Sequence, residues 1–196
     1  MNTVITIGRE YGSGGRLIAK KVSKLLDIPF YDEELINLIV QETGLAADFI
    51  RNADTRNPIG CFSNLSFSYD NLPVEGQLLV SEADIIKKVA DKGPCIIVGL
   101  CADYILRHKE NCARIFVSAP FEERVKRVKE DYHVEQKNIE HYVTKIDKSR
   151  AKYYNYITDE KWNVAKNYDM VLNSTIGLDE CAQLIKALVE IKENKA

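Results

Sequence analysis

Short apolar runs rich in β-branched residues recur along the chain, and segments with helical periodicity separate them. The apolar runs cover residues 3–7, 29–31, 95–98, 114–117 and 169–172. Strands of this kind are typical of a parallel sheet that is covered on both faces, and parallel strands require crossover helices. The sequence therefore predicts an α/β fold in which helices cover both faces of a parallel sheet of about five strands.

The intervening segments have apolar residues at helical spacing. In the first segment Ile18, Val22 and Leu25 recur at i, i+4 and i+7, which gives a helix one apolar face. The helices are predicted over residues 16–26, 33–42, 75–90, 135–156 and 178–191, with a further one that begins near Pro120. A single domain accounts for the whole chain.

A glycine-rich turn joins the first strand to the first helix, in the stretch ITIGREYGSGGR at residues 5–16. In this arrangement successive backbone N–H groups and a helix N-terminus converge on an anion. Gly12, Gly14 and Gly15 lack a Cβ atom, so they can adopt positive φ and let phosphate oxygens approach the main chain. The order of elements predicts a phosphate site, and a purely structural turn is the alternative.

The turn lacks the lysine of the G-x-x-x-x-G-K-[ST] pattern, which reaches the β- and γ-phosphates of a nucleotide. When the turn is aligned on Gly12 and Gly14, Gly15 occupies the lysine position and Arg16 follows it. Arg16 can supply a permanent charge and a planar fork suited to phosphate. The alternative is a solvated arginine on the first helical turn.

Composition restricts the class of partner. Lys and Arg total 27 against 29 Asp and Glu, so no overall positive field marks a nucleic-acid or membrane-surface binder. No apolar run is long enough to span a bilayer and no signal segment is recognisable, so we expect a cytoplasmic protein. The 5 cysteines include no C-x-x-C pair, which favours buried free thiols over a zinc site or disulfides.

Several segments together resemble the cytidylate kinase-like family of nucleoside monophosphate kinases, which have a P-loop fold. The segments are ITIGREYGSGGR at 5–16, IPFYDEELI at 28–36, IVGLCADYIL at 97–106, RVKR at 124–127 and DKSRAKYYNY at 147–156. The resemblance covers nearly the whole chain. It implies transfer of the γ-phosphoryl group of ATP to CMP or dCMP in the presence of Mg²⁺, with small-molecule nucleotides as the partners.

The resemblance also implies roles for individual residues. The phosphates of ATP would lie on a loop made of Gly12, Ser13, Gly14, Gly15 and Arg16. Catalytic cations in the region of a mobile lid, residues 124–156, would be Arg124, Arg127 and Arg150, together with Arg16. The alternative for Arg124 and Arg127 is an ordinary charged solvent face. The lid is expected to close over bound nucleotide, because it is highly charged and should have few buried contacts. The alternative is a static helical hairpin whose charges face solvent.

Acceptor binding is implied for Asp32, for Asp103 and for residues 46–76, a polar segment with weak periodicity. Asp32 could equally cap the helix that is predicted from residue 33. The polar segment would form the monophosphate-binding part, although a long insertion of this composition can also be a disordered loop.

The sequence departs from the family pattern at two positions. Leu17 lies where a threonine would hold Mg²⁺, so the metal would need water or another ligand. Leu100 follows Gly99, where the family has an arginine that binds the acceptor phosphate. These departures leave two alternatives to a CMP kinase: a phosphotransferase for another small acceptor, and a kinase-like module that binds nucleotide without catalysis.

Overall fold

The computed structural model of the chain describes residues 1–32 and 74–195. The helix predicted over residues 33–42 and residues 46–73 of the polar segment lie outside the described residues. Strands and helices alternate along the described chain.

The sheet has the strands β1 (Val4–Arg9), β2 (Phe30–Tyr31), β3 (Ile96–Val98), β4 (Cys112–Ser118) and β5 (Met170–Asn173). The described helices are α1 (Gly15–Leu26), α2 (Val74–Lys92), α3 (Ala102–Ile105), α4 (Phe121–Glu130), α5 (Ile139–Thr158) and α6 (Leu178–Glu193). Helix α3 was not predicted, because a helix of 4 residues is too short to show periodicity.

All strand pairs are parallel, and the strand order is β2-β3-β1-β4-β5. Central β1 places Ile5 opposite Ile96 of β3 and Ala113 of β4. This sheet of 5 parallel strands confirms the predicted fold class. The carboxyl ends of β1 and β3 lie side by side at one edge, and that edge is where the glycine-rich turn begins.

Side chains of β1 alternate between two apolar clusters, one on each face of the sheet. Ile5 and Ile7 pack with α1 and α6, whereas Val4 packs with α2 and α3. Helices therefore cover both faces, as predicted. The exception to the predicted helical face is Leu25, which is 41% exposed, whereas the next residue, Leu26, packs against the cluster that contains Ile18 and Val22.

Cysteines 95, 101, 112 and 181 are free and buried, which confirms the interpretation for the described cysteines. Burial raises the pKa of the Cys95 thiol to about 12 and that of Cys112 to about 11, so both thiols stay neutral. Within residues 1–32 and 74–195, no helix combines the length and apolar character that crossing a bilayer requires.

Candidate active site

The glycine loop, defined as residues 10–14, leaves β1 and enters α1. Gly12 and Gly14 adopt φ of 80° and 84°, in the left-handed region that favours glycine. A Cβ on Gly12 would also lie 2.6 Å from the backbone oxygen of Arg124. The Ser13 side chain is fully buried and its hydroxyl donates to the Glu10 carbonyl at 2.8 Å. The backbone angles confirm that this turn depends on glycine.

The predicted cations at 124, 127 and 150 all reach this part of the chain. Arg124 donates to the Tyr11 carbonyl at 3.1 Å, Arg127 donates to the Gly12 carbonyl at 2.7 Å, and Arg150 donates to the Arg9 carbonyl at 3.3 Å. Helices α4 and α5, which carry these arginines, are thus bonded to the end of β1 and to the glycine loop. None of the three is merely part of a charged solvent face.

Arg124 is the most deeply buried of these arginines, with 8% exposure. Its guanidinium forms a close ion pair with Asp147 and lies 3.5 Å from the Glu10 carboxylate. Burial raises the pKa of Glu10, and a hydrogen bond from the Ala119 backbone and the charge of Arg124 partly oppose that effect. Carboxylates therefore compensate the charge of Arg124 inside the protein.

Asp147 and Tyr11 complete the attachment of the glycine loop, and sequence reasoning assigned a role to neither residue. Asp147 accepts a hydrogen bond from the Tyr11 backbone N–H at 2.7 Å. The Tyr11 ring makes edge contacts with Tyr132 and Tyr142, at centroid distances of 6.1 and 5.7 Å. The available signal was the segment at 147–156, which places Asp147 three positions before Arg150 on α5.

Arg16 and Asp32 form an ion pair in which Nε and Oδ2 are 2.7 Å apart. The Arg16 side chain is 48% exposed and that of Asp32 is 20% exposed. The structure thus brings together Arg16, which is predicted to bind ATP, and Asp32, which is predicted to bind the acceptor. An ion pair this exposed contributes little to stability, so it can open without large cost. The helix that Asp32 could cap lies outside the described residues.

Asp103 is buried in α3, where its carboxylate accepts a hydrogen bond from the Tyr154 hydroxyl at 2.9 Å. Burial raises the pKa of Asp103, and the Tyr154 hydrogen bond partly opposes that effect. The carboxylate borders a cavity of about 40 Å³ that Arg9 and Arg150 also line. Asp103 therefore lies close to the site, with one of its oxygens already bonded to the protein.

The turn before α3 has an unusual backbone. Gly99, Leu100 and Cys101 all have positive φ, at 78°, 57° and 52°. Non-glycine residues adopt such angles at a cost of about 1–3 kcal/mol each, so the surrounding structure must stabilise this turn. Leu100 contributes to the lining of a cleft beside α2 and the carboxyl end of α5.

A cleft of about 660 Å³ lies between α2, the turn before α3 and the carboxyl end of α5. Its lining includes Leu79, Leu100, Tyr104 and Tyr153. Buried Glu82 accepts a hydrogen bond from the Tyr153 hydroxyl at 2.6 Å. The volume is in the range of small-molecule sites. Leu100, Cys101 and Tyr153 also line the smaller cavity, so the cleft adjoins the site around Arg9 and Arg150.

No group of three or more histidine, cysteine, aspartate or glutamate side chains within the described ranges has the arrangement of a metal site. Position 17, at the start of α1, is a leucine and offers no oxygen ligand. Mg²⁺ usually keeps several waters and binds through substrate phosphates rather than in a protein cage. The described residues therefore fit a magnesium ion that arrives on nucleotide phosphates, and they do not form a site of their own.

The buried ion pair predicts a large effect of substitution at Asp147. Asp147→Ala leaves Arg124 buried with a more distant carboxylate and removes the acceptor of the Tyr11 N–H. We expect the free energy of unfolding to fall by about 3 kcal/mol, at the lower end for a broken buried pair. The matched control is Asp131→Ala, which removes a 56% exposed carboxylate 3.9 Å from Arg127. Its expected cost is about 0.5 kcal/mol or less. Equal losses in urea denaturation would contradict the account.

Asp103 predicts a pH-dependent stability difference. Its pKa is raised on folding, so the carboxyl group stabilises the fold at low pH and this contribution is lost as pH rises through the folded-state pKa. Asp103→Asn keeps an acceptor for Tyr154 and cannot ionise. We expect the stability of the variant relative to the unsubstituted protein to increase between about pH 4 and about pH 7. A difference that stays constant in urea denaturation at both pH values would show that Asp103 ionises without penalty.

Comparison with known proteins gives a family match and similar structures. The model of the cytidylate kinase-like family matches residues 4–176. An uncharacterized protein from Eubacterium ventriosum has a structure similar to this chain, with a TM-score of 0.73 and 26% identity over 96% of this chain and 98% of that one. No curated protein matches the sequence.

Kinases with low sequence identity share the fold. Shikimate kinase from Bacteroides thetaiotaomicron has a TM-score of 0.59 at 13% identity, over 97% of this chain and 99% of that one. Deoxyadenosine kinase from M. mycoides, with the products dCMP and a flexible dCDP bound, has a TM-score of 0.51 at 11% identity, over 96% and 99% of the two chains. At such identities the likeness establishes a kinase fold alone. The family match includes the glycine loop and the helices that carry all three arginines, and the chain belongs to the cytidylate kinase-like family.

Proposed function

We propose that the protein is an ATP-dependent phosphotransferase whose acceptor is a nucleoside monophosphate, with CMP or dCMP as the preferred substrate. The observation that carries the proposal is the convergence of Arg127 and Arg150 on the backbone of residues 9–12, with Arg150 lining the small cavity that adjoins the cleft of about 660 Å³. Phosphoryl transfer depends on positioning and on neutralising charge at the transferring group, and these are the elements that it requires.

In this proposal the phosphates of ATP bind at the glycine loop and the amino end of α1. The N–H groups of Gly12, Ser13, Gly14 and Gly15 would donate to phosphate oxygens, and Arg16 would exchange its exposed pair with Asp32 for the nucleotide. ATP would bring Mg²⁺ on its phosphate oxygens, where the ion neutralises charge that develops during transfer. The acceptor would lie in the cleft, with its phosphate directed towards Arg150.

The arginines at positions 124, 127 and 150 would then have different roles. Arg124 already faces Asp147 and Glu10, so we assign it to holding the loop in shape rather than to substrate. Arg127 and Arg150 are half-buried and donate to backbone carbonyls, and these bonds can be exchanged for bonds to phosphate. Asp32 and Asp103 remain our candidates for acceptor recognition.

The segment that we propose to move is shorter than residues 124–156, the range expected from the sequence. We expected few buried contacts over residues 124–156, but Arg124, Val128, Val143 and Tyr154 are buried. The expectation was wrong because it counted charges without considering which of them pair internally. We propose that closure over nucleotide involves mainly residues 131–138, which join α4 and α5 and are largely exposed.

The test is a coupled assay of ADP release with ATP, Mg²⁺ and a panel of CMP, dCMP, UMP, AMP and shikimate. We expect the fastest release with CMP or dCMP. The strongest response with another acceptor would favour the broader phosphotransferase. Release no faster with any acceptor than without one, in a folded sample, would favour the kinase-like binding module that Gly15, Leu17 and Leu100 suggest.

Substitution at Arg150 tests the proposed duty of the lid arginines. Arg150→Gln should lower the phosphotransfer rate by about 10²–10³-fold, the usual effect of removing one donor to a developing charge. The control is Arg114→Gln, which changes an arginine near the amino end of β4 that pairs with Asp169 at 3.4 Å. We expect the control to keep its rate within about threefold. A similar rate in both variants would remove Arg150 from the site.

A further inference from the structure

Arg9, the last residue of β1, lies closely against the position where a P-loop lysine would begin. A Cβ built on Gly15 would be 2.7 Å from the Cβ of Arg9 and 3.2 Å from its Cγ. Such distances require a neighbouring group to move, so the stem of Arg9 occupies the space that any side chain at position 15 would need. The glycine at position 15 is thus explained by the presence of Arg9.

The head of the same side chain reaches the neighbouring strand. A Cβ built on Gly99 would overlap Nη1 of Arg9 and would lie 2.8 Å from its Cζ. The guanidinium therefore rests on the backbone at the end of β3, one residue before Leu100. Arg9 extends from the glycine loop to the turn where the family arginine is absent, so it lies near both of the positions at which this chain lacks a cation.

The charge of Arg9 is not neutralised by the part of the protein that the structure describes. Among the side chains that the structure describes, those of residues 1–32, 79–80 and 82–195, no carboxylate pairs with its guanidinium, in contrast with Arg124 beside Asp147 and with Arg16 beside Asp32. The side chain is half-buried and lines the cavity of about 40 Å³ together with Arg150. A cation in such a place, next to a loop whose N–H groups attract anions, raises the affinity of the site for phosphate.

We infer that Arg9 is the phosphate-binding cation that replaces the missing P-loop lysine. It enters from the end of β1 instead of the first turn of α1, with its stem against Gly15 and its planar fork on the backbone of Gly99. The inference rests on the proposed function, because it assigns a residue to the same site. It also assigns a reason for glycine at positions 15 and 99, which must leave room for the side chain.

The experiment measures ATP binding by calorimetry and phosphotransfer by ADP release in Arg9→Gln, in Gly15→Lys and in a combined variant that carries Arg9→Gly with Gly15→Lys. Arg9→Gln should weaken ATP binding by about 10- to 100-fold, the effect of losing a hydrogen bond to a charged group. Gly15→Lys alone should also weaken binding, because its stem collides with Arg9. The combined variant should bind ATP more tightly than either single variant, because Arg9→Gly removes the Cβ and Cγ atoms that lie against position 15 and the lysine can then occupy that space. Arg114→Gln is the matched control and should bind as the unsubstituted protein does.

The outcomes separate this inference from the proposed function. If the folded unsubstituted protein binds no ATP, the proposed function fails and the inference fails with it. If ATP binds and Arg9→Gln binds it equally well, only the inference is overturned. If Arg9→Gln binds ATP weakly and the combined variant does not bind it more tightly, the inference that Arg9 replaces the P-loop lysine is overturned. If Arg9→Gln does not fold, Arg9→Met decides, since it keeps an unbranched stem, removes the charge and should weaken ATP binding by about 10-fold or more, and unchanged affinity would overturn the inference.

Discussion

The buried ion pair between Arg124 and Asp147 is the interaction on which the site depends. The glycine loop contains two glycines in the left-handed region, which have no side chains of their own to hold the turn, so other elements must attach it. Arg124 provides that attachment from α4, and Asp147 provides it from α5, because both also bond to the backbone of Tyr11. One charge pair thereby fixes two helices and the glycine loop relative to one another. A buried pair of this kind is costly to break, which makes it a positioning device more than a source of net stability.

Compensation of charge divides the arginines into two groups. The carboxylates of Asp147 and Glu10 already compensate the charge of Arg124 within the fold, so this charge is unavailable to a substrate. Arg127 and Arg150 donate to backbone carbonyl oxygens, and Arg127 also lies 3.9 Å from the exposed carboxylate of Asp131. A phosphate would be a stronger acceptor than a carbonyl oxygen. Arg9 has neither type of partner at its guanidinium in the described chain. A site that lacks the usual lysine can therefore still concentrate positive charge at the edge of the sheet, using arginines that arrive from a strand and two helices.

The fold could be predicted because apolar periodicity and β-branched runs report burial directly, and burial decides the layers of the sheet. The helix α3 could not be predicted, since its short length and the left-handed angles at Leu100 and Cys101 are set by tertiary contacts. The glycine loop was visible as a motif, and so were the arginines at 124, 127 and 150. The sequence does not show that these arginines differ in role, because the carboxylate partners of Arg124, at positions 10 and 147, are distant from it along the chain. The sequence places Arg9 in the loop motif but indicates no role for it, because a sequence does not show the direction in which the last side chain of a strand extends.

The most direct measurement of the central claim is a crystal structure of the protein with a non-hydrolysable ATP analogue and Mg²⁺. The account predicts that the β- and γ-phosphates lie on the N–H groups of Gly12 to Gly15, and that the Arg9 guanidinium is within hydrogen-bond distance of a phosphate oxygen, about 2.7–3.2 Å. Arg124 should remain paired with Asp147 in that complex. A triphosphate bound away from the glycine loop, or one bound there while Arg9 stays on the Gly99 backbone without touching phosphate, would contradict the claim.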